Sequence, residues 1–174
     1  MSRPIEKYRA IESERLKTEL VSIELEVNKI RYKRTIRTSM TLLDFLREDL
    51  GLKGTKRGCD SGQCGACTII MDGETTNACL VLAVQADGKE ILTIEGLSSK
   101  GRLHPLQEAF VEEGAVQCGF CVPGMILSAK ALLDEKKDAS EEEIREALSG
   151  NLCRCTGYVK IIKAVQKAAA LMRT

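Results

Sequence analysis

The sequence has 174 residues, enough for one domain or two small ones, and its 26 basic and 25 acidic residues leave a net charge of +1. This balance provides no global field to attract nucleic acid or a membrane, so neither is an expected partner. No run of about 18 apolar residues is present, and residues 1–20 are too charged to contain a signal peptide's apolar core. We therefore expect a cytoplasmic protein.

The predicted elements begin with two strands. Apolar and polar residues alternate over 21–27, as a half-buried strand requires, and a turn at 28–29 leads to a weaker strand over 30–36. Thr41 and Asp44 then form a start signal that resembles a capping box. The sequence thus predicts a hairpin followed by a short helix.

A glycine-rich loop over 54–67 follows this helix. Its lack of periodicity predicts a backbone that comes close to a group it wraps. Further short strands are predicted at 68–71, around 79–84 and near 90–94, with Asp-Gly turns between them. The first half is therefore predicted to be a small mixed sheet with one helix.

After about residue 101 the apolar period changes to 3.6 residues, which predicts helices around 106–110, 125–133, 144–148 and 158–171. Pro105 and Pro123 suit first helical positions, and Ser140 with Glu143 forms a capping box. The second half is predicted to be a helical bundle. A linker around 96–101 would join two subdomains.

Eight cysteines are the most informative feature of the composition. Because 44% of the residues are hydrophobic, a packed core can form without disulfides. Cytosolic proteins that keep many thiols use them to bind metal more often than to form disulfides. Eight thiols divide into two sets of four, the number that a tetrahedral zinc ion or an iron-sulfur cluster needs.

The first set follows C-x4-C-x2-C and then a distant fourth cysteine, which is the plant-type pattern for a 2Fe-2S cluster. Its members are Cys59, Cys64, Cys67 and Cys79. Gly58, Gly62 and Gly65 permit the loop dihedrals that bring three thiolates together. Structural zinc is the alternative, although zinc sites usually pair one short chelate with a second, which this loop lacks.

The second set pairs a C-x2-C at the start of one predicted helix with a C-x-C just before another. Its members are Cys118, Cys121, Cys153 and Cys155. Helix N-termini favour the thiolate form at both pairs, and a single tetrathiolate site uses all four. A thioredoxin-like redox motif at 118–121 is the alternative, but it needs a preceding buried strand and leaves the C-x-C pair unexplained.

Other sequence features predict little further chemistry. His104 is the only histidine, and beside Pro105 it is expected to lie at a helix start rather than to bind metal. The basic residues over 29–37 are expected to form a solvated strand face or to meet an acidic partner subunit, because six aromatic residues offer little stacking for nucleic acid. No P-loop or strand-linked GxGxxG is present, so no nucleotide or flavin is expected in this chain.

Three segments together resemble the signatures of a known family. They are GCDSGQCGACTI at 58–69, QCGFCVPGMI at 117–126 and NLCRCTGYVKI at 151–161. These are similar to the motifs of the small iron-sulfur subunit of the molybdenum hydroxylases, the family of xanthine dehydrogenase, aldehyde oxidoreductase and carbon monoxide dehydrogenase. All eight cysteines stand at motif positions, in family order. The resemblance covers about residues 21–172 and leaves the first twenty without a counterpart.

The resemblance implies an α+β fold, with an N-terminal β-grasp plant-type 2Fe-2S ferredoxin-like domain followed by an all-α four-helix 2Fe-2S domain. The expected boundaries are an N-terminal extension at 1–20, the ferredoxin-like domain at 21–97 and the helical domain at 98–174. Each domain would hold one 2Fe-2S cluster.

The same resemblance implies two partners, a large molybdopterin-binding subunit and a medium FAD-binding subunit. This chain would be the non-catalytic electron-transfer subunit of a molybdenum-dependent oxidoreductase. Electrons would pass from molybdenum to the helical-domain cluster, then to the ferredoxin-type cluster and then to FAD. Gln117 would hydrogen-bond the pterin, and the Cys155 sulfur would lie near the pterin amino group. Without the resemblance, Gln117 is interpreted as a solvated loop amide.

Two other functions stay open on the sequence, a stand-alone two-cluster ferredoxin and a zinc-stabilised adaptor. The substrate would be chosen by the large subunit, so aldehyde, purine, carbon monoxide and aromatic acyl-CoA chemistries all stay open, with an aldehyde considered first.

Overall fold

The computed structural model describes residues 20–173. It opens with strands β1 (Leu20–Val27) and β2 (Ile30–Arg37), which pair antiparallel. Asn28 and Lys29 form the predicted turn between them, with φ values of 53° and 68°. The apolar face of β1 is buried, as its alternation predicts. Residues 1–19 of the extension predicted at 1–20 lie outside the described residues.

The sheet continues with β3 (Thr68–Met71), β4 (Glu74–Asn77) and β5 (Glu90–Leu92), and its strand order is β2-β1-β5-β3-β4. Strand β5 runs parallel to β1, whereas the other neighbouring pairs are antiparallel. This arrangement confirms the predicted small mixed sheet.

The prediction of a strand around 79–84 is wrong. Two 3₁₀ turns occupy this region, at Ala78–Leu80 and Ala83–Ala86, and β4 is the hairpin partner of β3. Because the turn before β4 is tight, pairing with β3 resumes at Glu74, and β4 ends at Asn77, before the predicted range begins. The Ala78 amide still donates to the Cys67 carbonyl (3.2 Å), one step further along the β3–β4 register, and the first 3₁₀ turn begins at this residue.

The first helix begins as predicted at Thr41, whose hydroxyl accepts a hydrogen bond from the Asp44 amide (3.0 Å). Helix α1 (Leu42–Asp44) continues as a π-helical turn over Phe45–Asp49. Its four large apolar residues are fully buried in one hydrophobic cluster with the inner side chains of the sheet; they are Leu42, Leu43, Phe45 and Leu46.

The second half contains the predicted helices, which within the described residues are α2 (Pro105–Glu112), α3 (Val122–Glu135), α4 (Glu141–Ala147) and α5 (Val159–Leu171). His104 caps α2 as expected, since its Nδ1 accepts a hydrogen bond from the Leu106 amide (3.2 Å). The capping box of α4 is also present, with the Ser140 amide donating to the Glu143 carboxylate (2.7 Å).

Two hydrophobic clusters lie in the two halves. One packs the sheet against α1, and the other fills the space between the helices of the second half. The halves touch where α3 packs against β3. None of the helices in residues 20–173 has the length and apolar character needed to cross a membrane.

Candidate metal centres

The first cysteine set lies in the loop between α1 and β3 and in the 3₁₀ turn after β4. The side chains approach one another in two pairs, Cys59 with Cys64 and Cys67 with Cys79. The two pairs are neighbours, because Cys64 lies close enough to Cys67 for its charge to raise the pKa of the Cys67 thiol. The structure thus brings together the four residues that the spacing indicated.

Backbone amides surround the outermost sulfur of this set. The Ser61 and Gln63 amides lie 3.4 Å and 3.3 Å from the Cys59 Sγ atom and donate hydrogen bonds to it. Hydrogen bonds from Ser61 lower the pKa of Cys59 to about 6, so its thiolate form is favoured at neutral pH. Burial raises the pKa of Cys67 to about 12, so this inner thiol needs a bound metal to lose its proton.

The three glycines of this loop serve two different purposes. Gly62 and Gly65 have φ values of 74° and 65°, which confirms the expectation that they supply dihedrals unfavourable for other residues. Gly58 has no positive φ; a Cβ atom there would lie 2.6 Å from the Cys64 Sγ atom. Gly58 therefore provides space for a thiol rather than an unusual dihedral.

The second cysteine set joins the start of α3 to the loop before α5. The Sγ atoms of Cys118 and Cys155 lie 3.7 Å apart, and Cys121 contacts Cys153. The fold of the helical half therefore closes a site from cysteines that are far apart in the sequence. Again the thiols approach in two pairs.

The expectation that helix N-termini favour the thiolate form is wrong for Cys121. This residue is the N-cap of α3, yet burial raises its pKa to about 12. Burial also acts to raise the pKa of Cys153, but hydrogen bonds involving Thr156, the Cys155 backbone and Cys121 together outweigh it and lower that pKa. The Thr156 amide and hydroxyl lie 3.5 Å and 3.1 Å from the Cys153 Sγ atom.

The paired arrangement distinguishes between the candidate metals. Zinc requires four ligands around a single ion, whereas a 2Fe-2S cluster takes two protein ligands on each of its irons. Each set therefore fits a two-iron cluster better than zinc. The thioredoxin alternative also fails, because helix α2 precedes the motif and Cys121 pairs with Cys153.

Comparisons with known proteins find matches for both halves of the chain. The model of a 2Fe-2S iron-sulfur cluster binding domain matches residues 25–93, and that of a second 2Fe-2S binding domain matches residues 93–166. The nicotinate dehydrogenase small FeS subunit of Eubacterium barkeri is 51% identical over 148 residues, which cover 85% of this chain and 94% of the relative. This chain belongs to the family of small iron-sulfur subunits of molybdenum hydroxylases.

Two further relatives support this membership. The aldehyde oxidoreductase iron-sulfur-binding subunit of Escherichia coli strain K12 is 44% identical over 171 residues, covering 90% of this chain and 75% of the relative. The crystal structure of quinoline 2-oxidoreductase from Pseudomonas putida 86 contains a chain that is 46% identical, with a TM-score of 0.86. The match covers 90% of this chain and 98% of that one.

Family membership confirms the predicted α+β fold with two 2Fe-2S-binding domains. This iron-sulfur subunit is the electron-transfer component of a molybdenum-dependent oxidoreductase. Because the relatives are small subunits of larger complexes, the stand-alone ferredoxin is disfavoured.

The iron-sulfur subunit exposes one pair of thiols at the surface of its helical half. Cys118 and Cys155 are both exposed, and so is Gln117 next to them in the sequence. Large apolar side chains near the four cysteines in the sequence are 40–58% exposed, namely Val116, Phe120, Leu152 and Val159. We call the surface around Gln117, Cys118 and Cys155 the thiol face.

Three polar residues that support the second site had no predicted role. The Tyr158 hydroxyl accepts a hydrogen bond from the Cys153 amide (2.8 Å) and donates one to the Asn151 carbonyl (3.3 Å), while Thr156 bonds the Cys153 sulfur. Asn151, Thr156 and Tyr158 all stand in the motif NLCRCTGYVKI. The motif therefore marked them, but cysteine spacing alone carries no information about their contacts.

Proposed function

We propose that the eight cysteines of this iron-sulfur subunit hold two 2Fe-2S clusters and that the chain relays electrons between a molybdopterin-binding subunit and an FAD-binding subunit. The first ligand set would be Cys59, Cys64, Cys67 and Cys79, and the second Cys118, Cys121, Cys153 and Cys155. The observation that carries the assignment is the arrangement of each set in two thiol pairs. When bound, each cluster would supply a one-electron redox centre.

The residues of the chain have two tasks at these sites. Amides of Ser61 and Gln63 and the hydroxyl of Thr156 donate hydrogen bonds to sulfur, which stabilises negative charge on the thiolates. Cys67 and Cys121 are buried, so one thiol in the inner pair of each site is kept from water. Both effects tune a redox centre without acid-base chemistry by the chain itself.

The thiol face is proposed as the surface that meets the molybdopterin-binding subunit. Apolar side chains exposed near polar groups are typical of the central part of a protein interface. There Gln117 would hydrogen-bond the pterin, and the Cys155 sulfur would lie near its amino group. The loop over 58–67 would face the FAD-binding subunit, since Cys59 and Gln63 are exposed there. A cytoplasmic location is also proposed, because all eight thiols are free.

Metal analysis of the native and reconstituted chain tests the ligand assignment. We expect about four irons and about four labile sulfides per chain, two of each for every cluster, together with the visible absorption of oxidised 2Fe-2S centres. Two irons or fewer after anaerobic reconstitution, or stoichiometric zinc in the native complex, would refute the assignment.

Rapid kinetics on the assembled complex tests the relay. In a complex carrying Cys155→Ser, substrate should still reduce molybdenum in a single turnover, while reduction of FAD becomes very slow. Ala170→Ser is the control, because this exposed residue lies at the far end of α5 from the thiol face. Reduction of FAD at the wild-type rate in Cys155→Ser would mean that electrons bypass this chain.

A further inference from the structure

A buried amide joins the two cysteine-bearing loops of the iron-sulfur subunit. Asn151 is 3% exposed, and its Nδ2 atom donates hydrogen bonds to the Gly65 carbonyl (2.9 Å) and the Thr68 hydroxyl (3.2 Å). Its Oδ1 atom accepts a hydrogen bond from the Ser128 hydroxyl (2.7 Å). The donors of Asn151 therefore contact the sheet half, and its acceptor contacts helix α3 of the helical half.

The backbones of the two halves approach one another directly around this amide. A Cβ atom on Gly65 would lie 2.3 Å from the Gly150 carbonyl oxygen, and one on Gly124 would lie 2.3 Å from the Gly65 carbonyl oxygen. Three segments thus meet with no room for a side chain, and each segment lies within four residues of a proposed cysteine ligand. Because close packing resists deformation, small displacements are opposed at this junction.

One main-chain hydrogen bond connects the two ligand sets at the same place. The Leu152 amide donates to the Cys64 carbonyl (2.9 Å), and Leu152 directly precedes Cys153. From the Cys64 sulfur to the Cys153 sulfur, the path therefore crosses a single hydrogen bond and otherwise follows covalent bonds. Neither Cys64 nor Leu152 belongs to a helix or strand, so regular secondary structure does not enforce this contact.

We propose that Asn151 is a positioning residue that fixes the separation of the two clusters by holding the Cys64 loop against the Cys153 loop. The inference rests on the proposed function, since it requires both clusters. Halves with separate cores can shift relative to one another unless their interface restrains them. The two hydrogen bonds that the buried Asn151 amide donates to Gly65 and Thr68 provide that restraint, because shifting the halves would leave these donors unpaired. Asn151 makes no hydrogen bond to a thiol, so its effect is geometric.

Low-temperature EPR of the fully reduced chain measures this geometry. Two reduced clusters split or broaden each other's signals by a magnetic interaction that depends on their separation and orientation. Asn151→Leu keeps the branched shape of the side chain but removes both donors, so we expect loss of the wild-type splitting while both signals and the iron content persist. Ser128→Ala is the matched control. It removes one bond to Asn151 and leaves both donors in place, so the wild-type splitting should remain.

The possible outcomes separate this inference from the proposed function. Wild-type splitting in Asn151→Leu would overturn the positioning role, as would two clusters in the wild-type chain that show no mutual interaction. A wild-type chain without two clusters would instead refute the proposed function.

Hydrogen exchange on the wild-type chain decides the matter should Asn151→Leu fail to fold. The Leu152 amide should be protected even though this residue is 58% exposed, because its amide is bonded to the Cys64 carbonyl. Exchange at the rate of an open loop amide would overturn the proposal.

Discussion

Replacing Gly65 with alanine tests whether the two halves of the iron-sulfur subunit are closely packed at their junction. Gly65 has a φ of +65°, which alanine adopts only with strain. The new Cβ atom would also lie 2.3 Å from the Gly150 carbonyl oxygen and 2.9 Å from the Asn151 Cα atom. Both are main-chain atoms, so relief requires a movement of one half relative to the other.

The two costs can be separated with a second glycine. The left-handed dihedral alone costs alanine about 1–2 kcal/mol. Overpacking a tight site adds about 1–3 kcal/mol, so Gly65→Ala should destabilise the chain by roughly 2–5 kcal/mol. Gly51 has a similar φ of +73°, but nothing lies within 4 Å of a Cβ atom there. Gly51→Ala should therefore show only the first cost.

Thermal unfolding of the cluster-loaded chain, followed by far-UV circular dichroism, compares the two variants. In a domain of this size each kcal/mol shifts Tm by about 2–4 °C, so Gly65→Ala should melt roughly 2–12 °C below Gly51→Ala. Equal Tm values would show that the junction accommodates a methyl group, and the close-packed interface inferred from the glycine contacts would be wrong.

Four further variants test the two cysteine sites and the start of helix α4. Cys64→Ser should abolish only the EPR signal of the ferredoxin-type cluster and Cys153→Ser only that of the helical one; loss of both signals in a folded variant would contradict two independent ligand sets. Thr156→Val removes a hydroxyl donor from the Cys153 sulfur and should lower the reduction potential of the helical cluster in a redox titration, whereas an unchanged or higher potential would contradict this. Hydrogen bonds from Lys136, then Ser140, lower the pKa of Glu143 from 4.5 to about 2. The ionised Glu143 side chain therefore stabilises the fold fully above pH 4.5, and this stabilisation is lost as the pH falls towards 2. Acid titrations followed by circular dichroism should show that Glu143→Gln loses less stability over this range than the wild-type chain. An unchanged profile would contradict a contribution of Glu143 ionisation to stability.

The sequence by itself determined the local elements and the identity of the cysteines. The alternation of β1, the Thr41 start of α1 and the capping box of α4 each depend on residues close in the chain, so pattern and propensity were enough to predict them. The C-x4-C-x2-C spacing that begins at Cys59 likewise involves residues close together in the chain, so it could be recognised from the sequence. At 79–84 the apolar residues predicted a strand, but the chain forms two 3₁₀ turns there.

Only the tertiary structure decided how the cysteines pair and how the two halves meet. Cys118 lies beside Cys155, and burial sets the pKa of Cys121 against the trend expected at a helix N-terminus. In the sequence Asn151 is one polar residue of a motif with no predicted contact, whereas in the fold it forms hydrogen bonds to both Gly65 and Ser128. Such effects depend on which surfaces come together and which groups lose water. The spacing of residues along the chain predicts neither the contacting surfaces nor the buried groups, because burial and hydrogen bonding between distant segments arise only when the chain has folded.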